Sequence, residues 1–137
     1  MSIEMKDNTA EALGAMKKAK KAALIAIGME AEGFAKSDPN MPVKTGRARN
    51  SITWATKEKE GQSFSYSDNE GKSYSDTIGT GAEEDSVYIG SNVEYFPIIE
   101  NGGVGRAGRH VLRNAASQHS DRYGELVAQA FAAIDKS

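Results

Sequence analysis

Hydrophobic positions in the first quarter of the chain follow the spacing of an amphipathic helix. Between Thr9 and Lys36 apolar residues recur every three or four positions, which places them on one helix face. Ser37-Asp38-Pro39 then supplies a strong helix stop. Ile25 and Met29 lie off the stripe, so the pattern predicts a helix over 9–36 with a second apolar face that a neighbouring subunit could cover. The stripe itself comprises Leu13, Met16, Ala23, Leu24, Ile27, Ala31 and Phe34.

Alternating apolar and polar positions predict strands in the middle of the chain. The alternation runs through Ile52-Thr53-Trp54, through residues 62–67 and through residues 86–90. Residues 68–85 are instead rich in serine, glycine and acidic residues, a composition typical of loops. We therefore expect a sheet over 50–91 that carries a protruding hairpin or mobile loop at 68–85. The candidate buried side chains of the strands are Phe64, Tyr66, Val87 and Ile89.

Helical spacing returns in the last third of the chain. Tyr95, Ile98 and Ile99 predict a short helix over 93–101, which Gly102 ends. After the glycine-rich stretch a second amphipathic stripe predicts a C-terminal helix over 109–135. Strands bracketed by helices indicate an α+β fold in one domain over 1–137, with an antiparallel sheet and helices packed on one of its faces. The C-terminal stripe comprises Leu112, Ala115, His119, Tyr123, Leu126, Ala130 and Ile134.

Composition limits the classes of function. A chain of 137 residues with a net charge of −2 can build one modest core and lacks the basic excess of a typical nucleic-acid-binding protein. It contains no cysteine, which excludes disulfides, thiolate metal sites and cysteine nucleophiles. The start of the chain is polar and no later apolar run is long enough to cross a bilayer. We expect synthesis in the cytoplasm and no membrane partner.

Motifs that could carry enzymatic chemistry are weak. Residues 103–108 match the G-x-G-x-x-G spacing of dinucleotide-binding loops, but that fingerprint needs a preceding strand and here a helical turn precedes it. His110 and His119 are too far apart for a metal-binding pair on one helical turn. No Gly-x-Ser-x-Gly elbow marks a serine nucleophile, and Glu83-Glu84-Asp85 lacks the spacing of a calcium loop. We expect no catalytic residues, no cofactor and no metal, so the protein is not predicted to be an enzyme.

Basic residues form two kinds of cluster. The lysines of residues 17–21 spread around the first helix, which favours a solvated cluster over a nucleic-acid or membrane patch. Arginines lie at two segment junctions, where loops commonly carry function. They could serve solubility or pair with local carboxylates, or they could bind acidic groups on adjacent subunits, with DNA phosphates as a second target. These arginines are Arg47 and Arg49 before the first strand, and Arg106, Arg109 and Arg113 after the glycines.

Three segments resemble one protein family, in the order in which the family has them. Residues 42–52, PVKTGRARNSI, are similar to a Pro-x-x-Thr-Gly-x-Leu-x-x-Ser-Ile signature that follows an alanine-rich helix. Residues 87–102, VYIGSNVEYFPIIENG, are similar to its Val-Gly-Ser and Tyr-Ala-x-x-x-Glu-x-Gly-Thr segment, and residues 109–115, RHVLRNA, to its Arg-Pro-Phe-Leu-Arg-Pro-Ala helix start. The departures from the family pattern are Ala48 for leucine, Gly103 for threonine and His110-Val111 for Pro-Phe.

Together these segments resemble the tail-component proteins of long-tailed bacteriophages that are named for the tenth gene product of the Hong Kong coliphage and grouped with neck and tail-completion proteins. The resemblance implies a structural virion protein that joins the head connector to the tail tube as a homo-oligomeric ring, for which a hexamer is expected. The implied partners are connector or stopper proteins and tail-tube or tail-terminator proteins. Genomic DNA would pass nearby without sequence-specific binding, and the protein would reside in the virion neck or tail after synthesis in the host cytoplasm.

Ten residues are candidates for contacts with subunits or partners. Thr45 can cap a helical turn, and Gly46 permits a close approach of another segment. Tyr95 is expected to bury its ring beneath the short helix, while Glu100 is expected to point outward, where Arg106 can meet it. The full set is Thr45, Gly46, Arg47, Arg49, Ser51, Tyr95, Glu100, Gly102, Arg106 and Arg109.

Two other classes of function stay open at this point. A small nucleic-acid-binding protein would use the lysine and arginine clusters and would bind DNA or RNA in a salt-sensitive manner. A small enzyme with a nucleotide at residues 103–108 would be stabilised by that nucleotide through mass action. The sequence supplies no matched catalytic pair for the second class.

Overall fold

The computed structural model describes residues 9–136, and its first element is a long helix, α1, over Thr9–Ser37. The predicted helix over 9–36 is confirmed and gains one residue, because the Ser37 hydroxyl donates to the carbonyl oxygen of Gly33 at 2.8 Å. The face that α1 buries is lined by small residues, which let other elements approach its backbone closely. These residues are Ala19, Ala23, Gly28, Ala31 and Ala35.

Within residues 9–136, six short strands form three antiparallel ladders of two strands each. Strands β1 (Thr53–Ala55) and β4 (Tyr88–Gly90) form the first ladder. Strands β2 (Ser63–Ser67) and β3 (Ser73–Thr77) form a hairpin. Strands β5 (Gly102–Gly103) and β6 (Arg106–Ala107) form a second, very short hairpin. The α+β class and the antiparallel pairing are therefore confirmed, but the strands do not join into one sheet.

Of the two alternatives for residues 68–85, a protruding hairpin or a mobile loop, the structure shows a hairpin over the first half, where β3 pairs with β2. The Asp68 carboxylate closes the turn between these strands, since it accepts the amides of Glu70 at 2.9 Å and Lys72 at 3.0 Å. The Tyr74 ring stacks on the Tyr66 ring across the hairpin, with centroids 5.3 Å apart. Serine at alternate positions of β3 hides this strand in the sequence, because only one of its side chains is aromatic or aliphatic.

The shorter helices are α2 (Arg47–Asn50), α3 (Phe96–Asn101), α4 (Val111–Ser117) and α5 (Ser120–Ala132), and a 3₁₀ turn follows over Ala133–Lys136. The predicted helix over 93–101 begins only at Phe96, whose amide donates to the carbonyl oxygen of Val93 in a turn. The predicted helix over 109–135 is wrong as a single element. The structure has two helices there, α4 and α5. The first of them begins at Val111 because His110 adopts a left-handed conformation with φ of 53°.

The break between α4 and α5 lies at Gln118 and His119. The His119 ring stacks on the Phe34 ring of α1 with centroids 3.6 Å apart, and its φ of −122° departs from helical geometry. The Tyr123 hydroxyl donates to the carbonyl oxygen of Ala115, which ties the two helices together across the break. A contact with α1 therefore redirects the chain where the local pattern alone would continue one helix.

The main core lies at the C-terminal end of α1, where the following loop, α2, α3 and α4 meet. Helix α5 lies along α1, with the Nε of Arg122 2.8 Å from a carboxylate oxygen of Glu30. Trp54 of β1 packs on Gly28 of α1, where a Cβ would collide with the indole. The buried cluster consists of Ala35, Met41, Ala48, Ile52, Val93, Phe96, Val111 and Ala115.

Candidate functional site

The Thr45-Gly46 turn locks the β2–β3 hairpin to the body of the protein. Gly46 has a φ of 75°, and a Cβ at this position would collide with the side chain of Asn69. The backbone amide of Asn69 donates to the carbonyl oxygen of Thr45 at 2.7 Å. Its side-chain amide donates to the carbonyl oxygen of Val43 at 2.8 Å. The Thr45 hydroxyl also accepts the Arg47 amide at 3.3 Å. The close approach and the capping expected at this turn are both present.

Ser51 is buried and makes its hydrogen bonds inside the protein. Its hydroxyl lies 2.6 Å from the carbonyl oxygen of Ala48 and 2.6 Å from the Ser91 hydroxyl. This contact joins the end of α2 to the loop after β4, which are two of the segments that carry the family resemblance. Arg49 donates from Nε to the side chain of Asn50 at 3.2 Å.

Arg47 lies between aromatic rings. Its guanidinium carbon is 4.5 Å from the ring centroid of Tyr74 and 5.8 Å from that of Tyr95, distances suited to cation–π attraction. Its Nη1 lies 3.5 Å from the Glu94 carboxylate. Hydrogen bonding to the Tyr66 hydroxyl raises the pKa of Arg47 and outweighs desolvation, which lowers it, while the charge of Glu94 raises it further. A permanent cation therefore connects the hairpin to the start of α3.

Glu100 does not point outward to Arg106, so that expectation is wrong. Its carboxylate accepts the amide of Leu112 at 2.8 Å and the amide of Arg113 at 3.0 Å. The first amides of a helix have no partner inside the helix, and an anion also interacts favourably with the helix dipole there. His110 supplies no side-chain hydrogen bond as the residue before α4, so Glu100 caps this helix from α3.

Gly102, Arg106 and Arg109 lie around the β5–β6 hairpin. A Cβ on Gly102, whose φ is 88°, would lie 2.6 Å from the carbonyl oxygen of Arg106, so the hairpin closes tightly at this glycine. Residues 103–108 thus continue from a helix into a hairpin and lack the strand-to-helix geometry of a dinucleotide loop. Arg109 donates from Nη1 to the carbonyl oxygen of Asn40 at 3.0 Å.

Four of the ten candidate residues come together as two pairs in space. Arg47 and Tyr95 come together beside the hairpin, whereas Arg106 and Arg109 line one groove at the end of α1. Sequence reasoning missed Asn69, which receives the close approach of Gly46. An asparagine in a turn between two serine-rich segments is a usable signal, since its side chain readily bonds nearby backbone groups.

The lysine cluster of α1 is partly paired with acids. Lys20 forms an ion pair with Asp85, and Lys21 Nζ lies 3.0 Å from the Glu58 carboxylate. Hydrogen bonding to Asp85 raises the pKa of Lys20. Exposed pairs of this kind contribute little to stability, and they neutralise two of the four lysines.

Comparisons with known proteins add no relative: no family model, no curated protein and no solved structure matches the chain. Among the described residues, no helix is both long enough and apolar enough to span a membrane. Within the same part of the chain, no group of three or more histidine, aspartate or glutamate side chains is placed to hold a metal ion.

Proposed function

We propose that the protein is a structural component of the neck or tail of a long-tailed bacteriophage. It forms a ring of identical subunits, for which a hexamer is expected, and joins the head connector to the tail tube. Its action is binding: surfaces of each subunit fit the next subunit and the adjoining rings, and no covalent bond is made or broken. DNA passes through the ring. The net charge of −2 disfavours tight binding of the DNA phosphates to the wall of the ring.

The observation that carries the proposal is that the three segments with family resemblance pack against one another. Each contributes two residues to the same buried cluster of eight. Short motifs that match by chance have no reason to meet in space, whereas segments that specify one fold must supply its core. The contributed pairs are Ala48 and Ile52 from residues 42–52, Val93 and Phe96 from residues 87–102, and Val111 and Ala115 from residues 109–115.

Large apolar side chains on the surface support assembly as the mode of action. Met29 is 60% exposed on α1 and Val104 is fully exposed at the tip of the β5–β6 hairpin. Surfaces of this kind mark protein–protein contacts when they are contiguous. The full set of exposed large hydrophobic residues is Leu13, Met16, Ile25, Met29, Val43, Tyr88, Ile98, Val104 and Val127.

The test is the mass of the purified protein in solution, by light scattering after size exclusion, alone and mixed with the connector and tail-tube proteins of the same phage. We expect a closed ring, either alone or on contact with those proteins, and electron microscopy of the same sample gives its symmetry. A chain that stays monomeric with every one of these proteins contradicts the proposal. Salt-sensitive binding to mixed-sequence DNA by that monomer would favour the nucleic-acid-binding alternative.

A further inference from the structure

A groove opens at the C-terminal end of α1, between the loop that follows this helix, α3 and the β5–β6 hairpin. Its volume is about 500 Å³. We call it the basic groove, because two arginines flank an apolar floor. The floor includes Ile98, which is 53% exposed on the outer side of α3. The lining residues are Pro42, Ile98, Ile99, Arg106, Ala107 and Arg109.

The two arginines of the basic groove have no carboxylate partner among the side chains of residues 9–134. Two hydrogen bonds hold Arg109 in place. Its Nη1 donates to the carbonyl oxygen of Asn40, and its backbone amide donates to the carbonyl oxygen of Ile99 at 2.7 Å. Most of its guanidinium donors stay available, since arginine has five. Arg106 is exposed on β6. The groove therefore offers two cationic forks beside an apolar surface, which suits a segment that carries exposed carboxylates.

Such a segment is present elsewhere on the same chain. We call residues 81–85 the acidic loop. The Glu60 carboxylate accepts the amides of Gly81 at 2.9 Å and Ala82 at 3.0 Å, which fixes the backbone of the loop. Glu83 and Glu84 are exposed on it. Neither forms an ion pair with a described side chain, although Glu84 borders a cleft that it shares with lysines of α1. Ala82, the one apolar side chain of the loop, is buried, so the loop presents its carboxylates to the outside.

The basic groove and the acidic loop lie at different levels along α1. The acidic loop is tied to Lys20 through Asp85, whereas the groove is reached only after the helix ends at Ser37. Seventeen helical positions separate Lys20 from Ser37, which corresponds to about 25 Å at the usual rise of an α-helix. The two surfaces therefore cannot satisfy each other within one subunit, but subunits arranged head to tail can bring them together.

We propose that the acidic loop of one subunit binds the basic groove of a second copy of this chain, with Glu83 and Glu84 facing Arg106 and Arg109. This contact is heterologous, so a closing rotation generates a ring. The inference rests on the proposed function, because it names a contact through which the ring forms. Opposite charge sets the register of the contact, and the apolar floor lies against the methylene groups of the two glutamates, where it shields the ion pairs from water.

The experiment exchanges the two charges. The groove variant carries Arg106→Glu and Arg109→Glu, and the loop variant carries Glu83→Lys and Glu84→Lys. In each variant alone, groove and loop have the same sign, and we expect self-association to weaken at least about tenfold. When the two variants are mixed, every groove meets a loop of opposite sign, so assembly returns with the variants in alternation. Sedimentation velocity over a concentration series measures all three samples.

Matched controls change the same net charge elsewhere on the surface. Lys18→Glu with Lys44→Glu is the control for the groove variant, and Glu11→Lys with Glu70→Lys is the control for the loop variant. Circular dichroism and urea unfolding verify that each variant is folded. The controls are expected to associate as the unmodified chain does.

The outcomes separate this inference from the proposed function. Rings that form equally well in both single variants overturn the inference and leave the proposed function standing. Loss of assembly in the single variants without recovery in the mixture also overturns it. A chain that remains monomeric in every sample and with the connector and tail-tube proteins overturns both. Binding of a DNA oligonucleotide that the groove variant loses, without self-association, would assign the groove to phosphates instead.

Discussion

At the scale of single residues, the side chains of Ser51 and Glu100 hold separate segments of the chain together through hydrogen bonds. Glu100 accepts two amides at the start of α4, and the buried hydroxyl of Ser51 connects α2 with Ser91. A buried polar group costs free energy unless it has a hydrogen-bond partner, so each of these residues stabilises only the arrangement in which its partner is in place. Their role is to position the segments that carry the outer surface.

Glu100→Gln is expected to lower the free energy of unfolding by about 1–2 kcal/mol, because the amide group keeps one acceptor and presents a donor to the second helix amide. Urea denaturation followed by circular dichroism measures the change. The control is Glu94→Gln, which removes only an exposed ion pair and should change stability by less than about 0.5 kcal/mol. Equal effects of the two substitutions would contradict the capping role.

At the scale of elements, α1 accepts its neighbours closely because it presents alanine and glycine where they pack. Gly28 lies beneath the indole of Trp54, and the Lys59 ammonium lies 3.6 Å from the ring centroid on that indole. Desolvation lowers the pKa of Lys59. The second well-defined element, the β2–β3 hairpin, depends on its Asp68 turn and on the Asn69 contact with Gly46.

Gly28→Ala is expected to destabilise the protein even though alanine favours helix formation. The added Cβ would lie 2.8 Å from two indole atoms, so Trp54 must move, at a cost of about 1–3 kcal/mol that exceeds the propensity gain of about 1 kcal/mol. Gly33→Ala is the matched control on the same helix, since nothing lies within 4 Å of a Cβ there. It should stabilise the protein by about 0.5–1 kcal/mol. Thermal unfolding and tryptophan fluorescence distinguish the two, and stabilisation by both would refute the packing argument.

The Asp68 turn is expected to make the hairpin sensitive to acid. Desolvation alone would raise the pKa of Asp68, but the Lys72 and Glu70 amides and the Tyr74 hydroxyl together lower it below its ordinary value. The folded state therefore binds a proton less readily than the unfolded state. The stabilisation is complete above about pH 4 and disappears as the pH falls through the lower pKa of the folded state.

Asp68→Asn tests this dependence. Stability of the unmodified chain and the variant should differ most at neutral pH and converge as the pH falls through the lowered pKa of the folded state. The control is Asp76→Asn, whose carboxylate accepts the amide of the adjacent Thr77. Urea midpoints measured across this pH range give the comparison. Parallel curves for Asp68→Asn and the unmodified chain would contradict the role of the turn.

At the scale of the whole molecule, α1 runs past the body that covers it. The residues that it buries begin at Ala19, and Leu13 and Met16 of its first turns are about half exposed. Its other end lies against the main core through Ala35. The subunit is therefore firmly packed at the end with the basic groove and sparsely packed at the start of its longest helix.

Hydrogen exchange in the isolated subunit is expected to follow this gradient. Amides of residues 13–19 should exchange faster than those of residues 23–35, because local opening of the first turns exposes little buried surface. Mass spectrometry of peptic fragments measures both, with α5 as an internal reference. Uniform protection along α1 would contradict this expectation, because it would show that the first turns are stabilised without burial of their side chains.

Periodicity predicts the parts of this fold that depend on local pattern. It places α1 to within one residue, because apolar residues recur at helical spacing along its length, but the stripe includes Leu13 and Met16, which lie outside the buried face that runs from Ala19 to Ala35. It misses the break at His119, because that break comes from a contact with Phe34, distant in sequence. The groove arginines were identified as candidates, whereas the role of Glu100 was not. The signal for it was available: α4 lacks a capping residue of its own, so its amides require an acceptor from elsewhere.

The packing of α1 against α5 has a consequence for synthesis of the chain. The helix made first is covered by a helix made about ninety positions later, as the contact between Glu30 and Arg122 illustrates. At usual translation speeds the apolar stripe of α1 emerges from the ribosome roughly 5 to 20 seconds before its cover. During that interval the nascent chain exposes the apolar face of α1 to chaperones and to other nascent chains on the same messenger RNA. Premature termination before α5 would therefore yield aggregates rather than a smaller folded subunit.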